Sequence, residues 1–377
     1  MPLLLFTDWF TPGYRAGGPI QSAHNFALGM QQHYAIKVLS SDRDLDALAP
    51  YAGIQSEVWL PFQQSGVEVL YAALAQLSMG RVWRYIREVH PRYVYLNSMF
   101  SWQFSLCPLL LYRLGLYQAR VVLAPRGMLK ASALQFKARK KQVFLRLFRW
   151  SGLPQRIVFH ASDAQEKKDI ERVFGPRCKI VVIPSFPAPV LPQAQPKVKN
   201  AVTRFVFLGR VHPIKNLHVA IAAIASSTAP AELYIIGSTE DAGYWQQCQQ
   251  QLAAFPAQVQ VHYLGELPHP QVREKLLECD FLLLPTQGEN FGHAIFECFA
   301  AGVPVIISDQ TPWQNLRERE VGWSLPLDRV EGFAEAVQEA VAMSAQEYAR
   351  WSARAQGYAQ DFVREARLEE AYQELFC

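Results

Sequence analysis

The chain has 377 residues, half of them apolar, with a net charge of +4 at neutral pH. That is enough length and apolar content for two domains, each with its own core. The mild charge, with no finger, homeodomain or RNP-type motif, excludes the common nucleic-acid readers. The six cysteines form no C-x-x-C pair or other metal spacing and read as reduced intracellular thiols. The start Met-Pro-Leu-Leu-Leu-Phe lacks a cationic n-region, and the longest apolar run, 104–117, is broken by Arg113 and too short to span a bilayer. A cytoplasmic protein is expected.

In chain order, the apolar run 3–6 reads as a short buried strand. Thr11-Pro-Gly-Tyr-Arg-Ala-Gly17-Gly18-Pro19 follows, then a helical pattern through Ile20, Ala23, Phe26 and Ala27. Pro19 suits a first helical turn, and Gly17 and Gly18 let a ligand approach the backbone. The spacing is neither G-x-G-x-x-G nor a Walker loop. After a strand at 35–39, Asp42-Arg-Asp44-Leu-Asp46 has the D-x-D spacing of some metal-dependent enzymes. So short a motif recurs by chance, and a solvated loop is expected. Further strands fall near 67–70, 93–97, 120–124, 156–160 and 180–183, with helices between them.

From Arg126 to Arg149 there are eight Lys or Arg residues and no acid, interleaved with Leu129, Leu134, Phe136, Val143, Phe144, Leu147 and Phe148, with Trp150 next. Such a basic helix either lies on an anionic membrane surface or packs its apolar face on a core. His160 ends the strand 157–160 and reads as a hydrogen-bonded structural residue or a catalytic one.

Five prolines within 184–196, without periodicity, mark a stiff linker. Beyond it the strand 204–208 ends at Gly209. Arg210 can fork two phosphate oxygens, and Lys215 acts as a mobile point charge. A helical pattern follows through Leu217, Ile221 and Ile224. The strand 232–236 ends at Gly237, and 260–264 runs into Gly265-Glu-Leu267-Pro. A helix near 271–279 and a strand at 281–284 come next. Then comes Glu289-Asn290-Phe291-Gly292-His293-Ala-Ile-Phe-Glu297, and a strand at 303–307. Glycines at successive strand ends suit a doubly wound parallel sheet, which binds ligands where strand ends meet helix starts. Glu289 falls in the loop and Glu297 about one turn into the helix. Carboxylates accept from sugar and ribose hydroxyls, and the helix start between them favours a phosphate. Sugar, phosphate and ribose in a row describe a nucleotide-sugar. Helices near 329–343, 345–360 and 362–376 complete the chain.

The stretch from Glu289 to Glu297 resembles the E-x7-E motif of retaining glycosyltransferases of family 4, the group 1 transferases of GT-B fold. Gly209-Arg210 and Lys215 resemble that family's diphosphate-binding segment. The resemblance covers nearly the whole chain and is most specific over 204–313. It implies an α/β GT-B fold, with two Rossmann-like domains facing each other across a deep cleft. Residues 1–184 would form the acceptor-side domain, 185–200 the linker and 201–361 the nucleotide-sugar domain. Residues 362–377 would form a helix crossing back to the first domain.

The resemblance further implies catalytic roles for Glu289, Arg210 and Lys215. Donor contacts are implied for Gly17, Gly18, Gly209, Gly237, Leu267, Asn290, Phe291, Gly292, His293 and Glu297. No cofactor or metal is implied. The loop 266–268 would meet the base through backbone groups, so UDP- and GDP-linked donors both stay open. The implied acceptor is a hydroxyl of a glycan or polyprenyl-diphosphate-linked saccharide in lipopolysaccharide or exopolysaccharide synthesis, placing the enzyme at the inner face of the cell membrane. Two positions depart from the family. Asn216 stands where a Gly is often seen, and Pro125-Arg126-Gly127-Met128 replaces a segment that carries a His in many members. Arg126 and His160 are the acceptor-side candidates, with Arg126 also open to contacting sugar or phosphate or capping its loop. The alternatives are another GT-B enzyme, such as a sugar-nucleotide epimerase or phosphorylase, or a two-domain sugar-binding module.

Overall fold

The computed structural model describes residues 1–135, 138–190 and 197–377. The chain divides into two compact units, one of Met1–Phe186 with Arg367–Cys377, the other of Pro187–Ala366.

The first unit is built on strands Pro2–Phe6 (β1), Ala35–Ser41 (β2), Trp59–Pro61 (β3), Glu68–Ala72 (β4), Tyr93–Leu96 (β5), Arg120–Leu123 (β6), Val158–Ala161 (β7) and Lys179–Val182 (β8). They form one sheet in the order β3-β4-β2-β1-β5-β6-β7-β8, parallel except for the antiparallel edge strand β3. The central strands are buried along their length, as in Leu3–Phe6 of β1 and Tyr93–Leu96 of β5, because helices cover both faces of a parallel sheet. The chain builds outward from β1 through β2 and β4, then returns to place β5 on the other side. The strand order therefore reverses between β1 and β5, and ligand crevices open at the carboxyl ends of such a pair.

The second unit repeats the design with Thr203–Leu208 (β9), Ala231–Ile236 (β10), Val259–Gly265 (β11), Phe281–Leu284 (β12), Val305–Ser308 (β13) and Gly322–Leu325 (β14). The order is β11-β10-β9-β12-β13-β14, all parallel. Here the reversal lies between β9 and β12. The loops leaving these two strands carry Arg210 and Lys215 on one side and Glu289 on the other.

Strands β3 and β14 are not anticipated by the sequence pattern. β3 is three residues long and ends in a proline, so it has no alternation to detect. β14 begins at Gly322, where a Cβ would stand 2.2 Å from the Val305 carbonyl oxygen, and only its pairing with β13 makes it a strand. The reading of 362–376 as one helix is corrected. Ala345–Glu365 runs straight through residue 362. The chain then breaks at Arg367, which has φ +41°, and a separate helix spans Leu368–Phe376. That helix packs into the first unit: Phe376 lies 5.4 Å from Tyr93, and Tyr372 lies 5.2 Å from Phe26, centroid to centroid. Of the proline-rich stretch, 191–196 lies outside the described residues. The segment after it is tied down, with Lys199 Nζ donating to the Val341 and Met343 carbonyls at 2.7 Å.

Candidate functional site

The loop after β9 and the loop after β12 are laced together by backbone and side-chain hydrogen bonds. Gln287 N donates to Ile214 O at 2.7 Å, and Asn216 Nδ2 donates to Pro285 O at 2.9 Å. Gln287 Nε2 in turn donates to Asn216 Oδ1 at 3.1 Å. Asn216 sits in the left-handed region at φ +52°. Gly enters that region freely and Asn tolerates it better than other side chains. The departure to Asn thus keeps the turn and adds two side-chain bonds that grip the partner loop.

This lacing brings Lys215 to Glu289. Lys215 closes a short helical turn, Pro213–Lys215, and its Nζ donates to Glu289 Oε1. The two side chains are 16% and 15% exposed. Arg210, on the same loop, is more open. Its Nη1 is held by both oxygens of Glu240, at 3.0 and 2.8 Å. Glu240 follows β10, the strand neighbouring β9, and sequence reasoning missed it. The available signal was an acid just beyond Gly237, in a strand-end loop beside another that carries an arginine.

Gly209 and Gly237 terminate β9 and β10. A Cβ on Gly237 would lie 2.0 Å from Gly209 O, and its φ is +148°, so two strand ends touch where only glycine fits. Gly292 is the N-cap of the helix His293–Ala300 at φ +77°. Phe291 and His293 flank it with rings 4.9 Å apart. Phe291 is buried, and its carbonyl accepts from Trp313 Nε1 at 2.6 Å. Trp313 also packs on Phe296 and Phe299, so an aromatic block absent from the sequence reading holds the Glu289–Gly292 loop from behind. Asn290 Nδ2, in the same loop, is buried and has no hydrogen-bond partner among the described residues. Buried donors are nearly always satisfied by protein, water or ligand.

Glu297 lies on the helix after Gly292, with Oε1 3.1 Å from His269 Nε2. His269, which was not assigned a role from sequence, opens the helix His269–Glu278 just after Leu267 and Pro268. Leu267 is half-buried against the second core. Arg210, Lys215, Glu289, Glu297, Gly209 and Gly237 thus all occupy the carboxyl-end side of one sheet.

In the first unit, Gly17 is the N-cap of the helix Gly18–Met30 at φ +63°. The glycine loop is tethered by Asp44, whose Oδ2 accepts from Tyr14 N at 2.8 Å and Arg15 N at 3.1 Å. Asp42 is held by Arg43 Nε at 2.9 Å and Ser56 Oγ at 3.2 Å. The solvated-loop expectation is corrected for these two acids, which are both buried. They are loop staples, and only Asp46 faces solvent.

Arg126 and His160 belong to one network. Arg126 donates from Nε to Asn97 Oδ1, from Nη1 to Ser185 Oγ and from Nη2 to Tyr95 OH, at 2.7–2.8 Å. Tyr95 OH in turn donates to His160 Nδ1 at 2.7 Å, and His160 Nε2 donates to Ile183 O at 2.8 Å. Burial, aided by the Arg126 charge, lowers the His160 pKa to about 3. The imidazole is therefore neutral, with both nitrogens engaged. Glu166, also buried, accepts from Gly127 N and from Ser162 N. Arg126 and His160 here brace the loops at the carboxyl ends of β5 to β8.

The basic stretch includes the helix Ala138–Trp150, while Phe136 and Lys137 lie outside the described residues. Its Phe148 is buried and Phe144 contacts Phe100. Val143, Leu147 and Trp150 are 57%, 59% and 82% exposed, and Arg139, Lys140, Arg146 and Arg149 are exposed as well. The core-packing reading therefore holds for Phe144 and Phe148, while Val143, Leu147 and Trp150 stay on the surface.

Residues 193–358 match the family described as glycosyl transferases group 1. The matched range falls within the second unit, which is thus the part of the chain similar to group 1 glycosyl transferases. Among solved structures, sucrose-phosphate synthase from Thermosynechococcus elongatus superposes with a TM-score of 0.73 at 15% identity, over 100% of this chain and 99% of that one. Anabaena HepE in complex with UDP and glucose gives 0.69 at 15% identity, over 99% and 98%. WaaG, a glycosyltransferase involved in lipopolysaccharide biosynthesis, gives 0.66 at 14% identity, over 100% and 99%. The fold is GT-B. No curated protein matches the chain in sequence.

Proposed function

We propose that the protein transfers a sugar, with retention of anomeric configuration and without a metal, from a nucleoside diphosphate donor to a hydroxyl of a glycan or lipid-linked saccharide in cell-surface polysaccharide synthesis. The observation that carries this reading is the meeting of Lys215 and Glu289 where the second sheet reverses its strand order. A cation for phosphate and an acceptor for hydroxyls stand side by side, with Glu297 on the adjoining helix. HepE, similar in fold, was solved in complex with UDP-glucose.

In this mechanism Arg210 and Lys215 neutralise the diphosphate as the glycosidic bond breaks, aided by the amides opening the helix His293–Ala300. Glu289 accepts from hydroxyls of the transferred sugar, and Asn290 Nδ2 supplies a donor beside it. Glu297 accepts from the ribose. The acceptor hydroxyl attacks on the face the nucleotide leaves, and a phosphate oxygen takes its proton. No protein nucleophile is needed, so positioning and charge stabilisation supply most of the acceleration. The two cations provide the charge that a metal would bring.

The acceptor side is assigned to the first unit. No helix among the described residues is long and apolar enough to cross a membrane. The exposed Val143, Leu147 and Trp150, flanked by cations, suit peripheral contact with an anionic leaflet that carries a diphosphate-linked acceptor.

The test is a donor screen. The protein is incubated with UDP-, GDP- and ADP-sugars, and released nucleotide and glycosylated product are followed by mass spectrometry. UDP, GDP and ADP are compared with free sugars by thermal shift. A nucleoside diphosphate should stabilise the fold by mass action. Stabilisation by free sugars alone would defeat the transferase reading.

A further inference from the structure

His269 stands first in the helix His269–Glu278, directly after the loop 266–268 and with Pro268 at the N-cap. Its Nε2 lies 3.1 Å from Glu297 Oε1, a contact between two different helices. The carboxylate side chain is 12% exposed and the imidazole 40%. A helix start is a poor place for a cation, because its unpaired amides carry partial positive charge. Even so, the hydrogen bond to Glu297 raises the His269 pKa above its ordinary value, against burial and against Arg273 one turn along the same helix. Glu297 and Arg273 are the charged groups acting on the ring.

A carboxylate has two oxygens, and His269 engages one of them. We propose that His269 is a positioning residue for the nucleotide: its Nε2–H holds Glu297 Oε1 so that the second oxygen is presented to the ribose hydroxyls of a nucleoside diphosphate. The same bond ties the end of the loop 266–268 to the ribose-binding helix, so base and ribose subsites form together. This rests on Glu297 serving the donor ribose. When the ring is protonated, the bond becomes charge-assisted and one more positive charge stands near an anionic ligand. Nucleotide affinity therefore rises as pH falls through the elevated His269 pKa. Above that pKa the neutral ring still donates from Nε2, and the orienting role persists without the added charge.

The experiment titrates UDP, GDP and ADP into the full chain by calorimetry between pH 6.5 and 9, with the wild type, His269→Ala and His269→Gln. The tightest of the three ligands is followed throughout. Circular dichroism checks that the variants are folded, and Gln, which keeps a donor near the Nε2 position, guards against a purely structural loss. Dividing wild-type by variant affinity at each pH removes the titration of the ligand's own phosphate. His269→Ala should bind about tenfold more weakly at pH 6.5, the loss expected for a charged hydrogen bond. His269→Gln should bind like the wild type at pH 9 and fall progressively behind it towards pH 6.5. Ala affinity equal to wild type overturns the positioning role of His269, and a wild-type to Gln ratio that stays constant with pH overturns the contribution of its charge. If none of the three diphosphates binds the wild type, the donor reading itself falls, and this inference with it.

Discussion

Replacing Glu289 with Gln keeps the side-chain shape and removes the charge that holds Lys215. The pair is partly dehydrated, with both side chains about one-sixth exposed, at 16% and 15%. Two unit charges 4 Å apart attract by about 4 kcal/mol at an effective dielectric near 20. Desolvation and side-chain ordering offset much of this, so the net bond is worth about 1–3 kcal/mol, the range for charged hydrogen bonds. A donor diphosphate must win Lys215 from Glu289 or share it. Glu289→Gln releases the cation, so affinity for the free nucleoside diphosphate should stay level or tighten by up to about tenfold, which is 1.4 kcal/mol. Turnover should move the other way. The amide is a weaker acceptor for a sugar hydroxyl than the carboxylate, and a loss of about 2–3 kcal/mol lowers kcat by about a hundredfold. Calorimetry with UDP or GDP reads the first quantity, and product formation under donor saturation reads the second. If nucleotide affinity drops in step with turnover, Glu289 serves the nucleotide and not the sugar. Unchanged turnover removes Glu289 from the site.

Other perturbations probe the frame. Gly237→Ala pushes a methyl group to 2.0 Å from Gly209 O at φ +148°; strain and clash together should cost about 3 kcal/mol or more and lower the melting temperature by several degrees, and a melting curve matching the wild type would show that the strand ends yield. His160 has its folded-state pKa lowered to about 3 from 6.5, so as pH falls below 6.5 the unfolded chain takes up a proton that the folded chain refuses. Stability is then lost through the window from 6.5 towards 3, by about 2 kcal/mol at pH 5. His160→Gln should remove that part of the change in urea midpoint between pH 7 and pH 5, and equal changes in both proteins would contradict a buried neutral imidazole. Leu147→Glu with Trp150→Glu should abolish co-sedimentation with vesicles containing phosphatidylglycerol while leaving soluble donor binding intact; sedimentation unaffected by the double change would reject this face as the membrane contact.

Much of the architecture is legible from local pattern. Apolar runs such as 3–6, 93–97, 204–208 and 281–284 become central strands because a parallel sheet covered on both sides demands continuous burial. The site loops are legible for a related reason. Glycine, arginine, lysine and glutamate just past a buried run mark a strand end, and Gly209, Arg210, Lys215 and Glu289 all stand at such ends. Arg126 and His160 illustrate the opposite case. Their residue types leave an acceptor contact and a structural role both open, and the partners they take, Tyr95, Asn97, Ser185 and Ile183, are scattered along the chain. Satisfaction of a polar group depends on partners that no local window contains.

Local pattern along the chain accounts for the alternation of strands and helices, the doubling of the design, and the kinds of groups at each strand end. Periodicity of burial and turn chemistry act over a few residues, so a linear reading recovers them. Which groups meet is settled by the folded arrangement: Lys215 with Glu289 across 74 positions, Arg210 with Glu240, and His269 with Glu297. Those meetings follow from the order in which strands enter the sheet. Strand order is a non-local choice settled by the packing of whole elements, and side-chain type leaves it open.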